Sequence, residues 1–444
     1  MLGEYRISGR RASEIAADVE HALATGRVEP GTALPPLRDL AAELGVNPNT
    51  VAAAYRLLRD RGVIETAGRR GSRIRPRPAT APRDLARLPV PPGARDLAAG
   101  NPDPALLPPL GPALAAAAAG PTVLYGHPVA EAELLADYRA EFRADGVPEG
   151  ELAVCSGALD AIARVLTARL RPGDAVAVED PGWGSLLDLL PALGLRPAPV
   201  PVDDDGPLPD AVAAALDAGA RALIVTSRAQ NPTGAALTAD RAAALRTVLA
   251  ERPATLLIED DHGHGMVDLP FHPLAGGTVT HWTLIRSAAK ALAPDLRVAV
   301  CVGDPDTVAR LLGRQRLDAG WVSHLLQRAV LHLRRHPAAP APAPVYRARR
   351  DALLAALAAH GIRGHGASGL NVWVPVADET ATAAALLQRG WVVAPGARFR
   401  LASPPGVRIT TSTLDPADAP AVAADLAAVL AALDRPAPGG SRLT

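Results

Sequence analysis

The spacing of hydrophobic positions changes along the chain, and the changes mark out its parts. From Ala12 to Ala24 apolar residues recur at helical spacing. Leu37–Leu44 predicts a short helix, Gly45-Val46-Asn47 a tight turn, and Asn49-Thr50 the opening of a second helix reaching about Arg61. Val63–Thr66 and Ser72–Ile74 flank Ala67-Gly68-Arg69-Arg70-Gly71, which predicts a hairpin with a basic tip. Two short helices across a tight turn, then a basic hairpin, predict a winged helix-turn-helix over 8–75. Between about 150 and 305 short β-rich runs alternate with helical patterns, at 174–180, 221–227, 254–260, 281–287 and 297–303. Strands this continuously apolar predict a parallel α/β sheet buried on both faces. The last quarter, with helices near 345–360 and 417–434 and strands near 370–375 and 406–411, predicts a smaller α+β part.

Residues 76–96 are rich in Pro with scattered Arg, the composition of a stiff linker, and a shorter Pro/Ala run at 336–345 predicts a surface loop. A disordered tail is expected over 437–444, which leaves 97–436 as the second domain. Aromatic residues are only 3% of a chain that is 48% hydrophobic, so its cores must be built from Ala, Leu and Val. The formal net charge is zero, which excludes a global nucleic-acid footprint. Locally, 13 Arg against 9 acids in residues 1–77 give the N-terminal part a difference of +4. Cys155 and Cys301 each lie in an apolar run, as small buried hydrophobes do, which fits a reducing cytoplasm. The first residues lack the apolar run of a signal peptide, and no stretch of 18 uninterrupted apolar residues predicts a membrane span.

Candidate chemistry begins with one residue. Lys290 is the single lysine against 45 arginines. An amine condenses with an aldehyde to a Schiff base, whereas a guanidinium stays protonated and cannot. Compositional drift alone would also leave a last lysine, so its surroundings decide. Ligands of open parallel sheets gather at the carboxyl ends of strands. Those ends carry Asp180, Ser227, Asp260 and Ser287, and Lys290 follows three residues after the last.

The features around Lys290 converge on pyridoxal 5′-phosphate (PLP). Asp260 can pair with a protonated pyridine nitrogen. Ser156-Gly157-Ala158 opens a helix whose free N–H groups suit a phosphate. Ser287 and Arg297 flank the lysine at −3 and +7 and can reach the same phosphate. Trp183 offers a flat face to the ring. Singly, Trp183 reads as core packing, Arg297 as a surface charge and Gly157 as a turn. In the N-terminal part, Asn49 and Thr50 at the start of a helix can reach base edges or phosphates, and Arg38, Arg69 and Arg70 can neutralise phosphates of a double-stranded DNA operator.

The order Gly31, Leu34-Pro35, Arg38, Leu40-Ala41, Gly45-Val46-Asn47, Thr50-Val51, Tyr55, Leu58, Gly62, Gly71 closely resembles the GntR-type winged helix. The resemblance maps the family's arginine to Arg38 and its recognition helix to Asn47–Tyr55, so Asn47 and Tyr55 are expected to face DNA along with Asn49 and Thr50. Pro36 stands where that family usually has Ser, which removes one phosphate contact. Farther on, Tyr125-Gly126, Ser156-Gly157, Pro181-Gly182-Trp183, Asn231-Pro232-Thr233-Gly234, Glu259-Asp260-Asp261, Ser287 to Lys290, Leu292-Ala293-Pro294, Leu296-Arg297 and Val407-Arg408-Ile409 resemble the fold-type I aminotransferases. That resemblance implies that Asn231 bonds the ring hydroxyl, that Arg408 grips a substrate carboxylate, and that Tyr125 reaches the phosphate of the partner subunit in a homodimer. Together the two halves resemble the MocR subfamily of GntR regulators, whose second domain senses PLP or an amino compound and whose dimer is head-to-tail.

The chain departs from that pattern in four places. His262 replaces a Tyr two residues after Asp260; it can still donate to the ring oxygen, and it titrates near neutrality. Ala289 replaces a Ser, Arg228 is unexpected before Asn231, and Gly263-His264-Gly265 replaces a bulkier acidic stretch. His262, His264, Asp260 and Asp261 crowd one strand end in poor ligand geometry, so no metal is expected. Three functions stay open: a regulator that senses PLP or an amine through an aldimine at Lys290, an active aminotransferase with an appended DNA-binding module, and a DNA-binding protein on a catalytically dead dimerisation scaffold.

Overall fold

The computed structural model describes residues 5–24, 27–29, 31–60, 63–66, 71–74, 90–337 and 341–433. Arg69, Arg70, most of the predicted linker and the predicted tail lie outside these residues. The chain forms two units, one of residues 1–82 with 170–175 and 188–197, the other of the rest.

In the first unit α1 (Ala12–Ala24) places Ile15, Ala16, Val19 and Ala22 on one face. The pair α2 (Leu37–Leu44) and α3 (Pro48–Asp60) forms the helix-turn-helix. Gly45 makes the turn in the left-handed region, φ 63, and its N–H reaches the Ala41 and Ala42 carbonyls. Glycine takes that backbone shape without a Cβ clash. Val51, Ala54, Tyr55 and Leu58 repeat at one helical face of α3 and are buried with Leu40. Strands β1 (Ile64–Thr66) and β2 (Ser72–Ile74) pair antiparallel, with Ile64 opposite Ile74, both buried in the same core.

The second unit opens with β3 (Arg95–Leu97), so the last two positions of the predicted linker are strand. Along the chain there follow α4 (Leu110–Ala118), α5 (Ala132–Ala144), β4 (Glu151–Cys155), α6 (Ala158–Arg169), β5 (Ala175–Asp180), α7 (Gly184–Ala192), β6 (Arg196–Asp203), β7 (Gly206–Pro207), α8 (Pro209–Asp217), β8 (Ala220–Thr226), α9 (Ala239–Ala250), β9 (Leu256–Asp260), β10 (His281–Ser287) and β11 (Ala299–Gly303), of which Ala175, residues 188–192 of α7 and residues 196–197 of β6 fall in the first unit. Among the described residues the strands form an eight-stranded sheet in the order β4-β11-β10-β9-β8-β5-β6-β7.

The sheet is mixed rather than parallel throughout. Strands β8, β9 and β10 run parallel, but β11 is antiparallel to both β10 and β4. A parallel return needs a crossover, usually a helix. The stretch from Ala288 to Val298 holds only a single 3₁₀ turn, Pro294–Leu296, so the chain doubles back. Lys290 sits in that return, beside the carboxyl ends of β9 and β10. Cys155 and Cys301 lie on β4 and β11, buried and free, with their Sγ atoms 3.9 Å apart.

After α10 (Pro305–Leu317) and α11 (His324–Arg335) comes the smaller part: α12 (Ala343–Ala359), β12 (Asn371–Pro375), α13 (Glu379–Gln388), β13 (Trp391–Pro395), β14 (Gly406–Thr410) and α14 (Ala419–Leu433). Its sheet runs β12-β14-β13-β3, with only β13 and β3 parallel. The stretch Pro416–Leu433 is long and apolar enough to cross a membrane by length and composition. Here Val422, Ala423, Leu426 and Val429 are buried in the small core with Leu353, Leu357 and Ile409. Its Asp425 accepts hydrogen bonds from Arg389 and from the Trp391 indole.

One carboxylate ties the two parts of this unit. Asp180, at the end of β5, accepts from the backbone N–H groups of Leu401, Ala402 and Ser403 and from the Ser403 hydroxyl, at 2.7–2.9 Å.

Candidate cofactor pocket and DNA-facing helix

Strand ends of the large sheet and the β10–β11 return enclose a cavity of about 330 Å³. Its wall includes Ala158, Trp183, Asn231, Asp260, His262, Ser287, Lys290 and Arg297, all foreseen from the sequence. The Lys290 ammonium donates to the Gly100 carbonyl at 2.7 Å. Asp260, at the end of β9, is buried, and among the described residues its Oδ1 has no hydrogen-bond partner. A bare buried carboxylate oxygen is costly unless something completes it.

The helix α6 begins at this cavity. The Ser156 N–H is taken by Asp160, which also pairs with Arg164. The following first-turn amides are of the kind that lack intrahelical acceptors. Gly157 has φ +91, and a Cβ there would lie 2.6 Å from an Arg297 guanidinium nitrogen. Arg297 itself holds a left-handed backbone, φ 48, and donates to the Ser156 carbonyl at 3.2 Å. The absence of a side chain at 157 thus lets a cation lie against the helix start. Ser287 accepts from the Ala289 N–H at 3.3 Å.

Arg408, on β14, donates to the Asn231 side-chain oxygen at 2.9 Å and to the Ala98 carbonyl at 2.6 Å, and lies over the Phe399 ring. Tyr125 stands apart from this cavity, 91% exposed, edge-on to Trp321 with ring centroids 5.4 Å apart.

His262 differs from the sequence expectation. Its Nδ1 contacts Asp260 Oδ2 and its Nε2 the Ala229 carbonyl, both at 2.9 Å, so both nitrogens are engaged by acceptors rather than kept for a ring oxygen. Burial works against its charge, but Asp260 outweighs that and raises its pKa; Lys290 opposes the rise. Arg228 is also explained: it forms a bidentate pair with Asp261, at 3.0 and 2.7 Å. The fully buried Arg286 joins the same carboxylate at 3.1 Å and lies between the Phe142 and Phe271 rings. Burial disfavours the Asp261 charge, yet these guanidiniums hold its carboxyl below the usual range.

Sequence reasoning missed Gly100, Asn101, Ser185, Met266 and Asn371 in the wall. Only Gly100 carried a local signal, as the glycine of Ala-Gly-Asn-Pro just after a short apolar run.

In the first unit Arg38, Asn47 and Asn49 are exposed and Thr50 is half-buried, at the start of α3. Asn47 accepts the Asn49 N–H at 2.9 Å and so caps the helix. Pro36, preceding α2, gives no side-chain cap. Tyr55 is corrected: its ring is in the core, and its hydroxyl donates to the Pro35 carbonyl at 2.8 Å. It fixes α3 against the chain before α2 and does not face outward.

The described geometry agrees with two family profiles. "Bacterial regulatory proteins, gntR family" matches residues 11–74, and "Aminotransferase class I and II" matches residues 95–426. The chain is 41% identical, over 95% of its length and 98% of the relative's, to the vitamin B6 salvage pathway transcriptional repressor PtsJ of Salmonella typhimurium. It is 29% identical, over 68% of each chain, to the HTH-type pyridoxine biosynthesis transcriptional regulator PdxR of Corynebacterium glutamicum. Among solved structures, Thermus thermophilus aspartate aminotransferase with maleate superposes with a TM-score of 0.67 at 26% identity, covering 76% of this chain and 92% of that one. The chain belongs to the MocR subfamily of GntR regulators, a winged helix-turn-helix joined to a fold-type I aminotransferase-like domain.

Proposed function

We propose that the chain is a PLP-dependent transcriptional regulator in which the pocket around Lys290 senses PLP or an amino compound and alters operator binding. The observation that carries this reading is one juxtaposition. A lone lysine, a buried Asp260 oxygen without a partner and a helix start with Arg297 beside it line one cavity, in a chain that also carries a DNA-binding helix pair.

The residues fit the cofactor. PLP, when bound, supplies an aldehyde that an amine can capture and a ring that draws electrons. Lys290 is the amine. Asp260 Oδ1 offers the missing partner for a ring nitrogen. The start of α6, with Arg297 and Ser287, is a cradle for the phosphate. In this reading Asn231 meets the ring hydroxyl, Trp183 the ring face, and Arg408 the carboxylate of an amino-compound effector.

Residues 8–75 bind double-stranded DNA, with Asn49 and Thr50 toward bases or phosphates and Arg38, Arg69 and Arg70 on phosphates. The working form is a head-to-tail homodimer in the cytoplasm. The exposed Tyr125, in a chain poor in aromatics, is the residue each subunit gives to its partner's pocket. Similarity to regulators named for vitamin B6 salvage and pyridoxine biosynthesis supports vitamin B6 genes as the target. Asn231 and Arg408 beside the same cavity also favour a second reading, a half-transamination on the regulatory domain.

The test is direct. The purified full chain takes up PLP and shows a visible absorption band that Lys290→Ala lacks, and PLP or an amino compound shifts its affinity for operator DNA. A colourless wild-type protein that takes up no added PLP overturns the reading.

A further inference from the structure

We propose that His262 is a positively charged positioning residue: it holds one oxygen of Asp260, leaves the other to the cofactor's ring nitrogen, and by sharing that carboxylate makes the ring a weaker electron sink. The inference rests on the PLP reading above and says how the pocket is biased toward sensing over turnover.

A neutral imidazole has one N–H donor and one acceptor nitrogen; only the cation has two donors. His262 meets an acceptor on each side, Asp260 Oδ2 and the Ala229 carbonyl, both at 2.9 Å. A backbone carbonyl has no proton to give. A neutral ring satisfies both contacts only by accepting a hydrogen bond from a protonated Asp260, which then lacks the charge a pyridine nitrogen needs.

The second contact is built, not incidental. Ala229 sits in the left-handed region, φ 58, where a residue with a Cβ is strained. Its N–H is held by the Ser368 hydroxyl at 2.8 Å. Gly369 lies so close that a Cβ there would be 2.6 Å from the Ala229 Cβ. The fold thus spends a strained residue to aim a carbonyl at His262.

The surrounding charges set the balance. Asp260 faces His262 from the end of β9 and favours the cation. Lys290 faces it from the β10–β11 return and opposes the cation. Glu179 on β5 lies near Asp260 and is itself buried under Thr226 and Gln230. With Asp260 Oδ2 committed to an imidazolium, less negative charge is left to keep a proton on the ring nitrogen. The pocket then keeps the groups that hold the cofactor while weakening the one that drives proton abstraction.

The experiment is nitrogen-15 NMR on the full chain with labelled histidine rings, without and with PLP labelled at the ring nitrogen. At pH 7.5 both nitrogens of His262 are expected to carry protons. In the wild type the PLP ring nitrogen is expected to resonate toward the unprotonated position. His262→Phe and His262→Asn should both move it toward the protonated position, the Asn variant while keeping one donor to Asp260, which separates charge from packing. PLP uptake by absorbance and folding by circular dichroism are followed in every sample. A neutral His262 ring overturns the inference, as does a ring-nitrogen signal unchanged in two folded variants. Failure of the wild type to take up PLP overturns the cofactor reading instead, and the role of His262 with it.

Discussion

Lys290 and Arg408 rest on the same short stretch of backbone: the lysine donates to the Gly100 carbonyl at 2.7 Å and the arginine to the Ala98 carbonyl at 2.6 Å. Gly100 has φ +67, and a Cβ there would lie 2.8 Å from an Arg408 guanidinium nitrogen. Residues 98–100 therefore form a strap held by two cations, Lys290 in the cavity wall and Arg408 beside it. An amino-acid carboxylate held by Arg408, as proposed above, would compete with the Ala98 carbonyl for that guanidinium.

Gly100→Val should weaken binding of an amino-acid effector by roughly tenfold or more, since left-handed backbone costs a residue with a Cβ about 1–2 kcal/mol and Arg408 must shift. PLP uptake should change much less, because the cradle at α6 is untouched. Calorimetric titration of each ligand checks this, and equal losses for both would discard the strap.

Lys290→Arg should behave like Lys290→Ala despite keeping the charge, because a guanidinium cannot capture an aldehyde. Absorbance of PLP-loaded protein after desalting reads the result. A retained visible band in the Arg variant would contradict it.

Gly157→Ala should lower PLP affinity by at least about tenfold, from positive-φ strain and displacement of Arg297 together. Pyridoxal, which lacks the phosphate, should lose far less. Fluorescence titration with the two vitamers separates these outcomes.

Thermal stability should fall as pH rises from about 5 to 8. Burial pushes Glu179 and Glu259 up to about 7, even though hydrogen bonds from Thr226 and from Leu274 and Ala275 oppose the rise. Between their ordinary value near 4.5 and 7 the folded chain holds protons that the unfolded chain has lost, so stability drops with pH there and levels off above. His262 adds to the drop: its contribution is complete below its ordinary value and is lost as pH rises through its raised one. Glu141 works the other way at acid pH. Burial opposes its charge, but His264, Arg334 and Arg286 outweigh it and bring the group to about 2, so its contribution is present above 4.5 and lost toward 2. Calorimetry across pH should therefore peak near 5, and Glu259→Gln should flatten the alkaline slope.

At the DNA-binding helices, Tyr55→Phe should cost about 1 kcal/mol of stability, the net worth of one hydrogen bond, with sequence preference unchanged. Arg38→Ala should leave stability alone, weaken binding to all sequences alike and reduce the salt slope by about 1. Melting curves and binding isotherms at several salt concentrations distinguish the two.

Much of the pocket was legible because its residues sit at strand ends, where apolar runs stop abruptly at Asp260 and Ser287. Periodicity also placed α2 correctly, and its left-handed Gly45 marked the turn. What escaped was non-local. Whether β11 runs parallel or antiparallel is decided by the length and content of the return that carries Lys290, and an apolar run reads the same in either direction. Asn371 lines the cavity from the start of β12, far away in sequence and with no local mark. Tyr55 was placed toward DNA by resemblance, while its spacing with Val51 and Leu58 already assigned it to the core.

The grip of Asp180 on residues 401–403 bears on how the pocket can open. Its four hydrogen bonds converge on two oxygens of one side chain, so a small shear cannot release them one at a time without leaving the carboxylate bare. More bonds brace the same seam: the Gly182 N–H reaches the Phe399 carbonyl at 2.7 Å, the Ser368 hydroxyl the Gly234 carbonyl at 3.0 Å, and Arg408 the Asn231 side chain. The two lobes are thus clasped along the rim of the cavity, and parting them requires several of these contacts to break together.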